Sequence, residues 1–141
     1  MTLSQKTIDI CKATAPTIEM YGEQITTRMY ELLFSNYPEV KPLFEGAPEN
    51  QHSKLANTIA VYAANIDHVE MLEKAVEIMA QKHVETQVKP EHYPMVGASL
   101  LQALKDVLGD NASDEIIQAW EEAYFFLADI LMRREKDIYA S

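Results

Sequence analysis

Apolar residues recur along this chain in steps of three and four, the spacing of one helix face, and no stretch reads as a credible strand. The row Ile8, Cys11, Ala15, Ile18 predicts a first helix that Ser4 can cap and that reaches about residue 20, with Gly22 interrupting it. A second helix is expected over about 23–36, carried by Ile25, Met29, Leu32 and Leu33. Residues 37–48 hold three prolines and Gly46, leaving room only for a short turn of helix around Val40. The row Leu55, Ile59, Tyr62, Ile66 predicts a helix over about 49–66, with Ala56, Ala60, Ala63 and Ala64 as a low flank suited to close packing. Helices over about 70–83 and 90–108 follow, the latter with Pro90 in its first turn, where the missing N–H costs nothing. Gly109-Asp110-Asn111 turns the chain, and Ser113 caps a last helix to about 139, with Asp114 and Glu115 at its positive end. The expected architecture is all-α, with six or seven helices of unequal length. A symmetrical four-helix bundle fits less well, since it needs four comparable helices.

Three of these rows contain a polar residue where an apolar one belongs. His83 ends the row Leu72, Val76, Met79; Tyr93 leads Gly97, Leu100, Leu104; Glu135 ends Trp120, Tyr124, Leu127, Leu131. Burying such groups is costly unless they satisfy one another or hold a ligand. The last two helices are joined by a short turn and should pack antiparallel, bringing Tyr93 towards Glu135, with His83 one short loop away. Each residue alone has an ordinary explanation: a satisfied core histidine, a core tyrosine, a glutamate at a helix end in solvent. Together they suggest a hydrogen-bonded cluster. If one imidazole nitrogen binds a metal, the other can donate to a carboxylate, which fixes the tautomer and strengthens the donor. One neutral histidine so supported suits a haem iron, whose four other ligands come from the macrocycle. Elsewhere, Gln51 opens the row Leu55, Ile59, and Tyr30 lies beside Met29, Leu33 and Phe34. An amide and a phenol aimed into an apolar cavity could hydrogen-bond a small polar ligand such as bound dioxygen; an ordinary core tyrosine and an exposed glutamine are the plainer alternative.

Composition narrows the field. A chain of 141 residues with 48% hydrophobic and 24% charged residues fits one globular domain. The net charge of −10 argues against nucleic acid and anionic membrane surfaces as partners. A single cysteine, Cys11, rules out an internal disulfide or zinc–thiolate cluster and fits a small buried hydrophobe. Neither a signal peptide nor a membrane-length apolar run is seen, so a cytoplasmic protein is expected. A di-iron carboxylate bundle would need two Glu-x-x-His motifs, and only Glu49-Asn50-Gln51-His52 fits.

The run Tyr30-Glu31-Leu32-Leu33-Phe34 to Tyr37-Pro38-Glu39-Val40-Lys41-Pro42-Leu43-Phe44 resembles the second helix and following corner of bacterial flavohaemoglobin-type globins. So do Ala80-Gln81-Lys82-His83, Val88-Lys89-Pro90-Glu91-His92-Tyr93, Ala119-Trp120-Glu121-Glu122-Ala123-Tyr124 and the terminal Arg134-Glu135 and Ile138-Tyr139, in order along nearly the whole chain. The resemblance implies a globin fold with haem b (iron protoporphyrin IX) held between the 49–66 and 70–83 helices. It implies His83 as the proximal iron ligand, Tyr93 and Glu135 as its hydrogen-bond network, Phe44 packed on the porphyrin, and Tyr30, Gln51 and Leu55 as the distal pocket. His52 is the rival to Gln51, though its helical phase relative to Leu55 is poorer. Flavohaemoglobins carry FAD- and NAD-binding reductase domains after the globin; this chain stops at Ser141 and resembles the single-domain bacterial haemoglobins, one globin domain over 1–141.

The implied function is reversible binding of O2, NO and CO, supporting NO dioxygenation to nitrate with electrons from a separate reductase. The alternatives are an oxygen carrier, store or delivery protein without turnover, or weak peroxidase-like chemistry, for which the pocket lacks a His–Arg acid–base pair. A sensor is disfavoured because no output domain is attached. A monomer or weak homodimer is expected, since most apolar rows are needed for the core.

Overall fold

Residues 5–36 form one helix, α1 (Gln5–Asn36), where the sequence suggests two. It belongs to a computed structural model that describes residues 3–47 and 49–140; Pro48, the third proline of the 37–48 segment, lies outside the described residues. Ser4 caps α1 as expected, its Oγ accepting from the Thr7 N–H at 3.2 Å. Gly22 does not interrupt the helix, because its role is spatial. It is buried against α2 (Gln51–Ala64), where a Cβ on residue 22 would come 3.0 Å from the Ala56 Cβ. Glycine here lets two helix backbones approach, and the expected low alanine flank of α2 supplies the other half of the contact. A 3-10 turn at Pro38–Phe44 occupies the proline-rich segment, with Val40 buried beneath it.

The expected 70–83 helix opens with a 3-10 turn, Val69–Leu72, and continues as α3 (Glu73–Glu85) past His83. Its end is a Schellman motif: Val88 N–H donates to the His83 carbonyl at 2.8 Å and Gln87 N–H to the Val84 carbonyl at 3.1 Å. Gln87 takes the left-handed position, with φ of 63°, that glycine usually fills. Pro90 lies in the turn before α4 (His92–Leu108), its carbonyl accepting from Tyr93 N–H at 3.2 Å. Pro94, two residues into α4, takes the first-turn place expected for Pro90. A 3-10 turn at Gly109–Asn111 leads to α5 (Asp114–Ala140), whose start is bonded by Ser113 Oγ accepting from Ile116 N–H at 3.3 Å.

α1 packs on α2, α4 and α5, and α4 on α5. Ile18, Ile25, Met29, Leu104 and Trp120 fill the main core between them. Buried polar ends are bonded: Trp120 Nε1 donates to Thr14 Oγ1 at 3.0 Å and Tyr62 to the Ala123 carbonyl at 2.7 Å. Cys11 is fully buried, and burial, with Glu122's charge adding, pushes its thiol up to about 12, so it behaves as the small hydrophobe expected. α3 makes its main helix packing against α5 and meets α4 through Tyr93. There it builds a second, smaller apolar cluster: Val76 and Ala80 with Tyr93, Ala128 and Leu131. No helix among the described residues is long and apolar enough to cross a membrane.

Candidate functional site

The three misplaced polar residues meet. His83 Nδ1 lies 2.8 Å from Glu135 Oε2 and 2.9 Å from the Tyr93 hydroxyl, which donates to the same Glu135 oxygen at 2.7 Å. Glu135 is buried, 4% exposed, so it is not a helix end emerging into water. The protons of this triangle can be counted. A carboxylate Glu135 only accepts, and Tyr93 has one proton, already committed to it. Burial first, then the hydrogen bond and charge of Glu135, push the Tyr93 phenol well above its ordinary range, so it keeps that proton. The hydrogen in the bond between His83 and Glu135 therefore comes from Nδ1. In a neutral imidazole so arranged the lone pair is at Nε2, which makes no hydrogen bond among the described residues.

α3 stands off from α2, and a cavity of about 200 Å³ opens between them, with Val61 and Tyr62 of α2, Leu72, Val76 and Met79 of the α3 side, and Leu127 of α5 among its walls. His83 follows Met79 by one turn on the same row. Tyr62, Leu72, Val76 and Met79, read from the sequence as apolar helix faces, thus line a slot between the two helices. Among the described residues no cluster of three or more His, Cys, Asp or Glu side chains could hold a metal ion. His83 would be a lone protein donor, which suits an iron whose other ligands come from a macrocycle.

On the α1–α2 side, Tyr30 is half-buried, stacked on Phe34 with centroids 5.7 Å apart and edge-on to Phe44 at 5.4 Å. Burial raises its phenol; Gln51, its hydrogen-bonding neighbour, works in the opposite direction. Tyr30, Gln51 and Phe44 are therefore brought together. Leu55, one turn after Gln51, packs on the main core. His52 is turned away: its Nε2 lies 3.8 Å from Glu23 Oε1 at the surface, and its carbonyl accepts from the buried Thr26 hydroxyl at 2.7 Å. Thr26 and Glu23, which also accepts from the Ser53 hydroxyl, thus set the phase at which α2 begins.

Several supporting groups escaped the sequence reading. Tyr124 donates to the Tyr93 carbonyl at 2.7 Å, and its ring crosses so close to α4 that a Cβ on Gly97 would lie 2.8 Å from Tyr124 Cε2. The signal was present, since a glycine inside a helical row marks close approach. Arg134 grips Glu77 with two bonds, Nε to Oε2 at 2.6 Å and Nη2 to Oε1 at 2.8 Å. No sequence signal identifies this pair, because both residues sit on polar faces of different helices. Arg134's hydrogen bond is the main cause holding the Glu77 carboxyl at about 2, below its ordinary 4.5, with the Gln81 amide adding. A depressed carboxylate contributes stability above its unfolded value and loses it as pH falls through the folded one. Lowering the pH from about 4.5 towards 2 is therefore expected to loosen α3 from α5, visible as broadening of α3 amide resonances in an NMR titration. Added salt should weaken the pair, because both side chains are half exposed. Unchanged α3 resonances over that range would refute the expectation.

The globin family model matches residues 27–131. A globin-like protein of Aquifex aeolicus, itself uncharacterised, is 51% identical over 138 residues, covering 98% of both chains. A flavohaemoprotein of Oceanobacillus iheyensis is 47% identical over 140 residues, covering 97% of this chain and 34% of that protein, so the chain spans about a third of that relative's length. Among solved structures, an engineered carbene transferase from a candidate nitric oxide dioxygenase of Rhodothermus marinus superposes with a TM-score of 0.95 at 40% identity, covering 99% of this chain and 97% of that one. With its all-helical architecture and a family match over most of its length, this chain belongs to the globin family.

Proposed function

We propose that this globin binds haem b through His83 Nε2, takes up O2, NO and CO, and converts NO and O2 to nitrate with one electron supplied by a separate reductase. The observation that carries the reading is the geometry around His83: Nδ1 lies 2.8 Å from Glu135 Oε2, which leaves Nε2 as the available donor. The apolar slot between α2 and α3 supports it, since a flat hydrophobic cofactor needs such walls. Bound haem supplies an iron centre that takes up small diatomic ligands and exchanges single electrons.

The side chains do the rest. Glu135 and Tyr93 hold the Nδ1 proton and orient the ring, making His83 a stronger donor. Tyr30 would offer an O–H and Gln51 an amide N–H to a polar ligand near the start of α2, while Phe34 and Phe44 keep that region apolar. The flavohaemoprotein relative and the candidate nitric oxide dioxygenase support the nitrate-forming reading over simple carriage.

The test is an absorption spectrum of the haemin-supplemented protein in ferric, reduced and CO-bound forms, followed by NO consumption in air with NADH and a flavin reductase. A Soret band and nitrate formed in proportion to NO over many turnovers are expected. Absence of the band after haemin addition sinks the cofactor assignment. A band without multiple turnovers reduces the function to reversible ligand binding.

A further inference from the structure

The helix that carries His83 is held mainly on α5, and the apolar contacts of Val76 and Ala80 with Ala128, Leu131 and the Tyr93 ring are non-directional. Such contacts hold a helix close without fixing how it is rolled. Directional ties must do that, and the last turns of α5 supply them on both sides of His83. Before it, Arg134 grips Glu77 through the two parallel bonds described above, and Glu77 Oε1 also accepts from Gln81 Nε2 at 3.0 Å. A bidentate guanidinium–carboxylate pair fixes a plane as well as a distance. After it, the Tyr139 hydroxyl donates to the Val88 carbonyl at 2.9 Å, with the Lys89 ammonium 4.2 Å from the centre of the Tyr139 ring. Between them sits Glu135 on His83.

We infer that Arg134 is a positioning residue for His83, acting through Glu77 and seconded by Tyr139: the ion pair sets the roll of α3 on α5 so that Nδ1 stays on Glu135 and Nε2 is presented to the cofactor. This rests on the haem reading. The pair's value is geometric. Its side chains are 42% and 43% exposed, and exposed pairs contribute little to stability. Arg134 adjoins Glu135 in the chain, so a shift of one carries the other with it.

The haemin-loaded full chain provides the test, with Arg134→Lys and Glu77→Gln, which keep size but lose the fork, and Glu135→Gln as reference. In the ferrous protein, the iron–histidine stretching frequency in resonance Raman spectra should fall in both variants towards that of Glu135→Gln, while the denaturant midpoint stays close to that of the unsubstituted protein. The exchanged pair, Glu77→Arg with Arg134→Glu, should recover the original frequency. In the protein without haemin, the 15N signal of the His83 Nδ1–H should weaken in the same two variants. Wild-type frequency and an undiminished Nδ1–H signal in folded Arg134→Lys and Glu77→Gln would overturn the assignment. Should the unsubstituted protein bind no haemin, the cofactor reading fails separately, and the 15N measurement still decides whether Arg134 orients the imidazole.

Discussion

A His83→Ala protein is expected to remain folded and to bind haemin more than about 100-fold more weakly. That bound follows because loss of a mere outer hydrogen-bond partner costs about 10- to 100-fold at metal sites, and here the donor itself is removed. Folding survives because the Tyr93–Glu135 bond, 2.7 Å long and buried, does not depend on the imidazole. The stability lost is the His83–Glu135 bond, about 1.5 kcal/mol at the lower end for a charged acceptor, since the imidazole side chain is 32% exposed. Added imidazole should enter the vacated space and restore the ferric spectrum in part. Haemin titration followed at the Soret band checks this. Unchanged affinity and spectrum would remove His83 from the site.

Glu135→Ala is expected to have the largest effect on stability among changes in the triangle. It strips the common acceptor from two donors, Tyr93 and His83 Nδ1, inside a site where Glu135 is only 4% exposed. The two orphaned groups can turn to each other, since they already lie 2.9 Å apart, so the loss is partial: about 2–3 kcal/mol in denaturant unfolding. Haemin affinity should fall by about 10- to 100-fold. Tyr93→Phe should be milder on both measures, about 1 kcal/mol, because the bond between Nδ1 and Glu135 remains. A reversed order, with the phenylalanine variant the weaker, would mean that the phenol and not the carboxylate receives the imidazole proton.

The site was legible in the sequence because two constraints act on it together. Helical phase put His83, Tyr93 and Glu135 on inward rows, and short connections between α3, α4 and α5 left few ways to arrange them. Gln51 and Tyr30 were legible as inward-pointing polar groups for the same reason, while the choice between Gln51 and His52 depended on Thr26 and Glu23, on a different helix. Gly22 was misread because glycine serves two ends, breaking a helix or admitting a neighbour, and only the partner, Ala56, distinguishes them. The last turn of α3 was missed because Gln87 stands where a glycine would have announced the cap. The row of Val76 and Met79 did not by itself announce a slot, since an apolar row is the same whether it meets another helix or walls a cavity. Glu77 and Arg134 left no trace, since charged residues on outer faces reveal nothing about the rotational setting of one helix on another.

The separation of the interior into a large cluster among α1, α2, α4 and α5 and a small one under α3 has a thermodynamic corollary. α3 is held largely by the smaller cluster and is expected to open by local unfolding at a lower free energy than global unfolding. A ligand seated between α2 and α3 binds only the closed arrangement and so stabilises the arm by mass action. Loading of such a ligand and docking of the histidine-bearing helix are then thermodynamically linked.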